Sequence, residues 1–335
     1  MKRFKFWLLG KKLILGYILF CALPLCNLFA NEAVFELLQN KFGLANMPIC
    51  IEYERVVEGA DIDAKKQVLY TPNAKCKVFA DGKGCFLYSI NRLYPKNAKD
   101  ASDSQYLYYI SPSEKLRYIP NRDLVEFADF DLNNGRDPFL FSYLSAFSDT
   151  QKMGVNFVDI KNLILNAGNS DISYTAKNGS AVLTIRKYKN KSPDKIFDVY
   201  DLYRLYLKEI FGKIYPVRAT TSLLSIGKDK REIELPVISE ILYSEYKQIE
   251  GANISIPHKI VVNLYAINKS ANGDTYNAKL YASEIIKINK IITDKAKISK
   301  NMMLEIPESA TVFDLKRNSV YQMSQLAKKL EKALK

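Results

Sequence analysis

Three stretches in the last third of the chain decide the fold: VISEILYSEYKQI (237–249), SIPHKIVVNLYAI (255–267) and TYNAKLYASEIIKIN (275–289). Each is rich in β-branched and aromatic residues, which is typical of strands. The connections at 251–253 and 271–274 are short and contain Gly and Asn. Because strands joined by short connections pair with their sequence neighbours, these stretches predict an antiparallel meander.

Further strands are predicted on both sides of the centre of the chain. Asn178-Gly179, the strongest hairpin signal, separates apolar stretches at 171–176 and 181–188. The residues 195–211 fit either a helix, by the spacing of their apolar residues, or a strand, by their β-branched and aromatic content. The remaining predicted strands are at 49–57, 66–70, 75–80, 85–90, 106–110, 116–119 and 298–306.

Helices are predicted at three places before the NG hairpin. Residues 31–44 carry apolar side chains at helical spacing. Asp137-Pro138 is a favourable helix start for the apolar stretch 139–147, and a second apolar helix is expected at 158–166. Two apolar helices between two groups of antiparallel strands predict a curved sheet with a cavity beneath them. The alternative is an ordinary sheet core filled by Tyr and Phe.

The first 30 residues are typical of a secretory signal peptide, with a basic start, a short apolar run at 13–25 and a small residue, Ala30, at the boundary. An uncleaved signal anchor and a lipoprotein acylated at Cys26 are the alternatives. We therefore divide the chain into a signal peptide (1–30), one β-rich domain (31–318) and a basic amphipathic C-terminal helix (319–335). That helix is expected to dock on the domain or to contact a membrane surface.

Charge and residue types exclude several classes of function. The formal net charge of +13 falls to +8 without the five basic residues of 1–30, and the remaining lysines are interspersed with acidic residues. Nucleic acid is therefore not an expected partner. The one histidine, His258, has no evident acid or nucleophile partner, and DFDLNNGRD (129–137) lacks the terminal glutamate of a calcium loop. We predict no cofactor, no metal and no enzymatic activity.

Three cysteines follow residue 30: Cys50, Cys76 and Cys85. Cys76 and Cys85 flank the turn at 80–83, and a turn centred on Asp81-Gly82 makes them diagonal neighbours across a hairpin. Diagonal spacing is wide for a disulfide, so the sequence is compatible with two states: a Cys76–Cys85 disulfide or two buried thiols.

The C-terminal strands also carry a family resemblance. In order, they contain YKQIEG (246–251), IPHKI (256–260), IIKIN (285–289) and IPESATVFD (306–314). This order resembles the last strands of LolA-like outer-membrane lipoprotein-sorting proteins, a superfamily that includes LolB and RseB relatives. The shared features are a strand, a glycine turn, a strand that begins near a proline, and a closing I-P-x-x-A-x-V-x-D segment. The resemblance implies an unclosed antiparallel β-barrel whose concave apolar face is covered by helices and receives acyl chains.

Together, the pattern and the resemblance predict a β-rich α+β half-barrel in the periplasm or outer cell envelope that binds lipid or lipoprotein acyl chains. The main alternative is an exported interaction or envelope-stress-sensing protein without a lipid ligand, and an unrecognised hydrolase is a third. The side chains expected to line the cavity belong to the two apolar helices: Phe139, Phe141, Leu144, Leu163 and Leu165.

Overall fold

The structure is a computed structural model of the chain. It describes residues 47–58, 73–93, 105–111, 115–127, 134–135, 145–147, 157–159, 171–177, 179–191, 197–250, 255–269, 276–302 and 304–325.

Strands dominate these residues. They are accompanied by a helix, α1 (Lys295–Asn301), and a 3₁₀ turn (Pro120–Arg122). The strands are β1 (Pro48–Glu58), β2 (Asn73–Asp81), β3 (Phe86–Leu93), β4 (Gln105–Ile110), β5 (Lys115–Ile119), β6 (Leu124–Phe127), β7 (Asn134–Gly135), β8 (Ser145–Phe147), β9 (Phe157–Asp159), β10 (Ile172–Lys177), β11 (Ser180–Lys191), β12 (Phe197–Ile210), β13 (Lys213–Gly227), β14 (Glu232–Glu234), β15 (Ser239–Gln248), β16 (Ser255–Lys269), β17 (Tyr276–Ile292), β18 (Thr311–Asp314) and β19 (Ser319–Gln322).

Sixteen of these strands form one sheet in the order β10-β11-β12-β13-β15-β16-β17-β1-β2-β3-β4-β5-β6-β18-β19, with β14 paired to β13. Neighbours pair antiparallel, apart from β6 and β18, which run parallel. The order ends at β10 on one side and β19 on the other, so the described sheet is unclosed. The predicted fold class, a large open antiparallel sheet, is confirmed.

The predicted meander is confirmed by the consecutive pairing of β15, β16 and β17. Most of the segment 195–211 forms a strand, β12, which pairs with β11 and β13 along nearly its whole length. Asn178-Gly179 does connect two antiparallel strands, β10 and β11, and Gly179 has the positive φ of 72° that this turn requires. The alternation of apolar residues therefore located most of the long strands.

The predicted strand at 298–306 is wrong in its described residues: α1 occupies 295–301, and residues 304–306 belong to no strand. Asp294 caps this helix: its Oδ1 accepts hydrogen bonds from the backbone N–H groups of Ala296 (3.0 Å) and Lys297 (3.2 Å). The helix buries a single side chain, Ile298, against Cys50, Phe79 and Leu87. The N-cap and the burial of Ile298 therefore favour a helix over the strand that the apolar pattern of the segment predicts.

The bounds predicted for the other helices also change where the structure describes them. Residues 145–147 and 157–159 form strands β8 and β9, so the first apolar helix does not extend to 147 and the second does not begin at 158. Ser319–Gln322 is strand β19, so the C-terminal helix does not begin at 319. The helix at 31–44 and the strand at 66–70 lie outside the described residues, as do residues 326–335.

The two faces of the sheet differ, as the alternation of side chains along a strand requires. We call the face that carries Ile51, Tyr53, Ile241, Ile260 and Ile286 the inner face; these residues belong to one large buried cluster. The opposite, outer face carries Cys50 and receives α1. The core therefore lies mainly on one side of a single sheet.

The C-terminal strands are held by a separate small core. β18 pairs with β6, and Val312, which is fully buried, packs with Leu116, Tyr118, Val125 and Ala310. The predicted closing segment at 306–314 therefore joins a sheet edge contributed by the first half of the chain.

Candidate functional site

The inner face is the most extensive apolar surface that the described residues form. β1, β2, β11, β12, β13, β15, β16 and β17 all contribute buried side chains to it. Its largest side chains with less than 2% exposure are Tyr53, Tyr215, Ile49, Ile51, Ile185, Leu205, Leu207, Ile241 and Ile256. These side chains are shielded from solvent.

The outer face of β13, β15 and β16 carries a polar network around Glu240. Glu240 on β15 accepts hydrogen bonds from Arg218 Nε (2.6 Å), Asn263 Nδ2 (3.2 Å) and the Tyr265 hydroxyl (2.9 Å). Burial favours a raised pKa for Glu240, but these hydrogen bonds outweigh it and lower the pKa. Around Glu240 the outer face is therefore polar, whereas the inner face of the same strands is apolar.

One ion pair interrupts the inner face. Arg55 on β1 and Glu284 on β17 are each only 6% exposed, and Glu284 Oε1 accepts hydrogen bonds from both Nε and Nη2 of Arg55 at 2.6 Å. The register places Arg55 opposite Ile286, whose side chain is fully buried, and two residues beyond Tyr53 on the same face. A paired charge thus sits within an otherwise apolar surface.

The pair shapes the electrostatics of this region. Burial disfavours the charge of Arg55, but the carboxylate of Glu284, with smaller contributions from Tyr88 and Tyr53, raises the pKa of Arg55 above its ordinary value. Arg55 is therefore held as a cation. Burying an ion pair is unfavourable unless its geometry is good, and the two contacts of 2.6 Å meet that condition here.

Polar atoms continue along the inner face towards β3. The Tyr53 hydroxyl donates to the Tyr88 hydroxyl (3.3 Å), and the latter donates to Cys76 Sγ (3.6 Å). The ring of Tyr88 stacks on that of Tyr108 at a centroid distance of 5.9 Å. These groups form a short polar line next to Arg55.

Ser239 is a further polar group of the inner face. It is fully buried, opposite Thr221 on β13 and Leu264 on β16. Among the residues that the structure describes, its Oγ has no hydrogen-bond partner. A buried hydroxyl without a partner is unfavourable, and a polar ligand atom at this position satisfies it.

The side chains predicted to line a cavity are not among the described residues: Phe139, Phe141, Leu144, Leu163 and Leu165. The short strands next to them form a three-stranded sheet in the order β7-β9-β8, and β8 contacts β13 and β15. The chain between the two strand groups therefore returns to the large sheet.

The possible Cys76–Cys85 disulfide is not formed, and Cys50 is in no disulfide either. The hairpin pairs Ala80 with Phe86, so Cys76 lies opposite Ile90 whereas Cys85 lies in the turn. The two cysteines are thus offset by five residues, which is roughly 16 Å along a strand. Burial raises the pKa of the Cys50 thiol to about 11.

His258 is half-buried on β16, between the buried residues Ile256 and Ile260 of the inner face. Burial and the nearby Lys247 lower its pKa, although Glu245 opposes this. Within the described ranges, no three His, Cys, Asp or Glu side chains lie close enough to hold a metal ion.

Sequence reasoning missed the Arg55–Glu284 pair, although a signal was present. In ICIEYERVV (49–57), Arg55 has the same parity as Ile49, Ile51 and Tyr53, and Glu284 has the same parity as Ile286. A charged residue at an inward position of an alternating strand predicts a buried charge, but its partner 229 residues away is not visible in the pattern.

Comparisons with known proteins give low similarities. No family model matches the chain, and no curated protein matches it. Among solved structures, it is similar to a domain named as an outer membrane lipoprotein-sorting protein from Vibrio parahaemolyticus, at 11% identity and a TM-score of 0.36, over 79% of this chain and 93% of that one. A LolA superfamily protein from Nitrosomonas europaea gives 10% identity and a TM-score of 0.33, over 77% and 91%.

A third similar structure is an uncharacterized conserved protein from Thermus thermophilus, at 8% identity and a TM-score of 0.27, over 84% of this chain and 99% of that one. The first two carry names from the superfamily that the C-terminal strands resemble. Because all three TM-scores are below 0.5, we base the proposed function on the chain's own residues. Among the described residues, no helix has both the length and the apolar character needed to cross a bilayer.

Proposed function

We propose that this protein is an exported, non-enzymatic carrier that binds the acyl chains of a lipid or lipoprotein on its inner face. The observation that supports this most directly is the inner face itself, one apolar surface shared by at least eight strands of a single open sheet. The other sheet among the described residues has three short strands, and its strand β8 contacts β13 and β15 of the large one. An apolar face of this extent needs a cover.

An acyl chain is a suitable exchangeable cover. Each buried methylene contributes about 0.8 kcal/mol, so about ten methylenes contribute about 8 kcal/mol towards displacing the present cover. The buried hydroxyl of Ser239 and the Arg55–Glu284 pair supply polar groups for the head of such a ligand. The signal-peptide pattern of residues 1–30 supports export.

We further propose that the segment between the strand groups covers the inner face through Phe139, Phe141, Leu144, Leu163 and Leu165. This part of the proposal rests on the sequence, where these residues form two apolar stretches between polar turns. Movement of this segment then admits the ligand.

The proposal is tested by extracting lipid from the purified protein and by titrating the protein with an acyl-chain fluorophore. The matched variants lie side by side on the edge strand β10. Tyr174 packs against the inner-face cluster, whereas Thr175 is exposed on the other face, so Tyr174→Asp and Thr175→Asp add the same charge at different faces. We expect Tyr174→Asp to weaken fluorophore binding about tenfold and Thr175→Asp to leave it unchanged.

Absence of both co-purifying lipid and fluorophore uptake in the unmodified protein would overturn the proposal. The interaction-protein alternative would then be favoured. Circular dichroism confirms that both variants fold before their affinities are compared.

A further inference from the structure

Among the described residues, the hairpin of β16 and β17 extends beyond the strands that flank it. β15 pairs with β16 only as far as Ser239 opposite Leu264, and β1 pairs with β17 only as far as Glu58 opposite Ser283. Beyond these points β16 and β17 pair with each other, up to Lys269 opposite Tyr276. We call residues 265–269 and 276–282 the ribbon; its five paired residues on β16 span roughly 16 Å.

The ribbon exposes large apolar side chains. Leu280 is 54% exposed, Tyr276 42% and Tyr281 36%. The register places Tyr276, Ala278 and Leu280 on one face, opposite Lys269, Ile267 and Tyr265. Tyr281 is the extra residue of a bulge between Tyr265 and Leu264. An exposed apolar strand pair is an association hazard in water, so this surface indicates a partner.

The composition of the ribbon identifies the chemistry of that partner. Lys269 and Lys279 are both exposed, and the described residues of the ribbon contain no carboxylate; with Asp274 of the connecting segment the net charge of 265–282 is +1. Exposed tyrosines, a leucine and long lysine side chains suit the boundary between lipid head groups and acyl chains. Lysines also favour an anionic surface.

The position of the ribbon agrees with a lipid partner. The bulge at Tyr281 reverses the alternation of β17, so the apolar side chains of the ribbon lie on the side of the outer face, where the Tyr265 hydroxyl donates to Glu240. Glu284, two residues beyond Ala282, lies on the inner face and forms the ion pair with Arg55. Ser239, with its buried hydroxyl, lies beside Leu264 at the base of the ribbon. Two polar groups of the inner face, the Arg55–Glu284 pair and Ser239, therefore lie near the end from which the ribbon projects.

We propose that the ribbon inserts into the surface of an anionic lipid bilayer and turns this end of the sheet towards the membrane. The insertion itself is independent of the proposed carrier function. Only the consequence, that a lipid passes between the bilayer and the inner face at this end, rests on that function.

Tryptophan reporters test the insertion directly. The one native tryptophan, Trp7, lies in the predicted signal peptide, so the protein without residues 1–30 is used, and its Leu280→Trp variant is compared with its Phe211→Trp variant. Phe211 is 59% exposed, which is close to the 54% of Leu280, but it lies in the β12–β13 turn at the opposite end of the sheet. With vesicles of phosphatidylcholine and phosphatidylglycerol, we expect a blue shift and quenching by brominated lipid for Leu280→Trp only.

Charge-matched variants test whether the apolar face is required. Leu280→Asp and Asn277→Asp each add one negative charge to the ribbon, on its apolar and polar faces respectively. We expect Leu280→Asp to reduce vesicle binding about tenfold and Asn277→Asp to have an effect of less than about threefold. The acyl-fluorophore titration without vesicles should be unchanged in both, which separates this inference from the carrier function.

Three results would overturn the inference. They are equal quenching of the two tryptophan reporters, vesicle binding that is unaffected by Leu280→Asp, and a dimer in sedimentation experiments that Leu280→Asp converts to a monomer. The last result would identify a second copy of the chain as the partner of the ribbon.

Discussion

The buried Arg55–Glu284 pair predicts a large, asymmetric response to mutation. Arg55→Met removes the cation and leaves the Glu284 carboxylate in a site where it is 6% exposed and has lost both hydrogen bonds of 2.6 Å. Removing one partner of such a pair destabilises a protein by about 3–5 kcal/mol. The double variant Arg55→Met/Glu284→Met has no unpaired charge, so we expect its free energy of unfolding to lie within about 1 kcal/mol of the original.

Urea unfolding followed by far-ultraviolet circular dichroism measures this difference. With a slope of about 3 kcal/mol per molar urea, Arg55→Met should lower the midpoint by about 1–1.7 M. The control is Arg186→Met, because the Arg186–Glu232 pair is exposed, at 36% and 46%, and should contribute less than about 1 kcal/mol. A loss for Arg55→Met no larger than that of the control, or a double variant as unstable as the single one, would refute this reasoning.

Two further predictions concern the outer face and its helix. Burial raises the pKa of the Cys50 thiol to about 11, so a thiol reagent at pH 8 should leave Cys50 unmodified in the folded protein and modify it after unfolding. Mass spectrometry of peptides measures this modification. Labelling of Cys50 in the folded state would contradict the burial described above. Replacing the N-cap of α1 by Asp294→Ala should destabilise the protein by about 1 kcal/mol and speed amide hydrogen exchange in 298–301, whereas Asp294→Asn, which retains a capping oxygen, should not. Equal exchange rates in the two variants would exclude the cap as the cause.

The strands were predictable where their signal is local. β15, β16 and β17 follow directly from alternation and glycine-containing turns, and the β10–β11 hairpin follows from Asn178-Gly179. The start of α1 was missed because its apolar residues also fit a strand, although the capping residue Asp294 was visible in the sequence. Local patterns therefore failed where one cap decided between two periodicities.

The sequence by itself determined the class of the protein: a β-rich chain with long antiparallel hairpins and strands that alternate apolar and polar residues, because both signals depend on near neighbours. Only the tertiary structure decided which distant strands meet. The pairings of β1 with β17 and of β6 with β18 join the two strand groups, and the first of them brings Arg55 to Glu284 across 229 residues. Such contacts depend on the packing of the whole sheet, for which a single sequence contains no periodic signal.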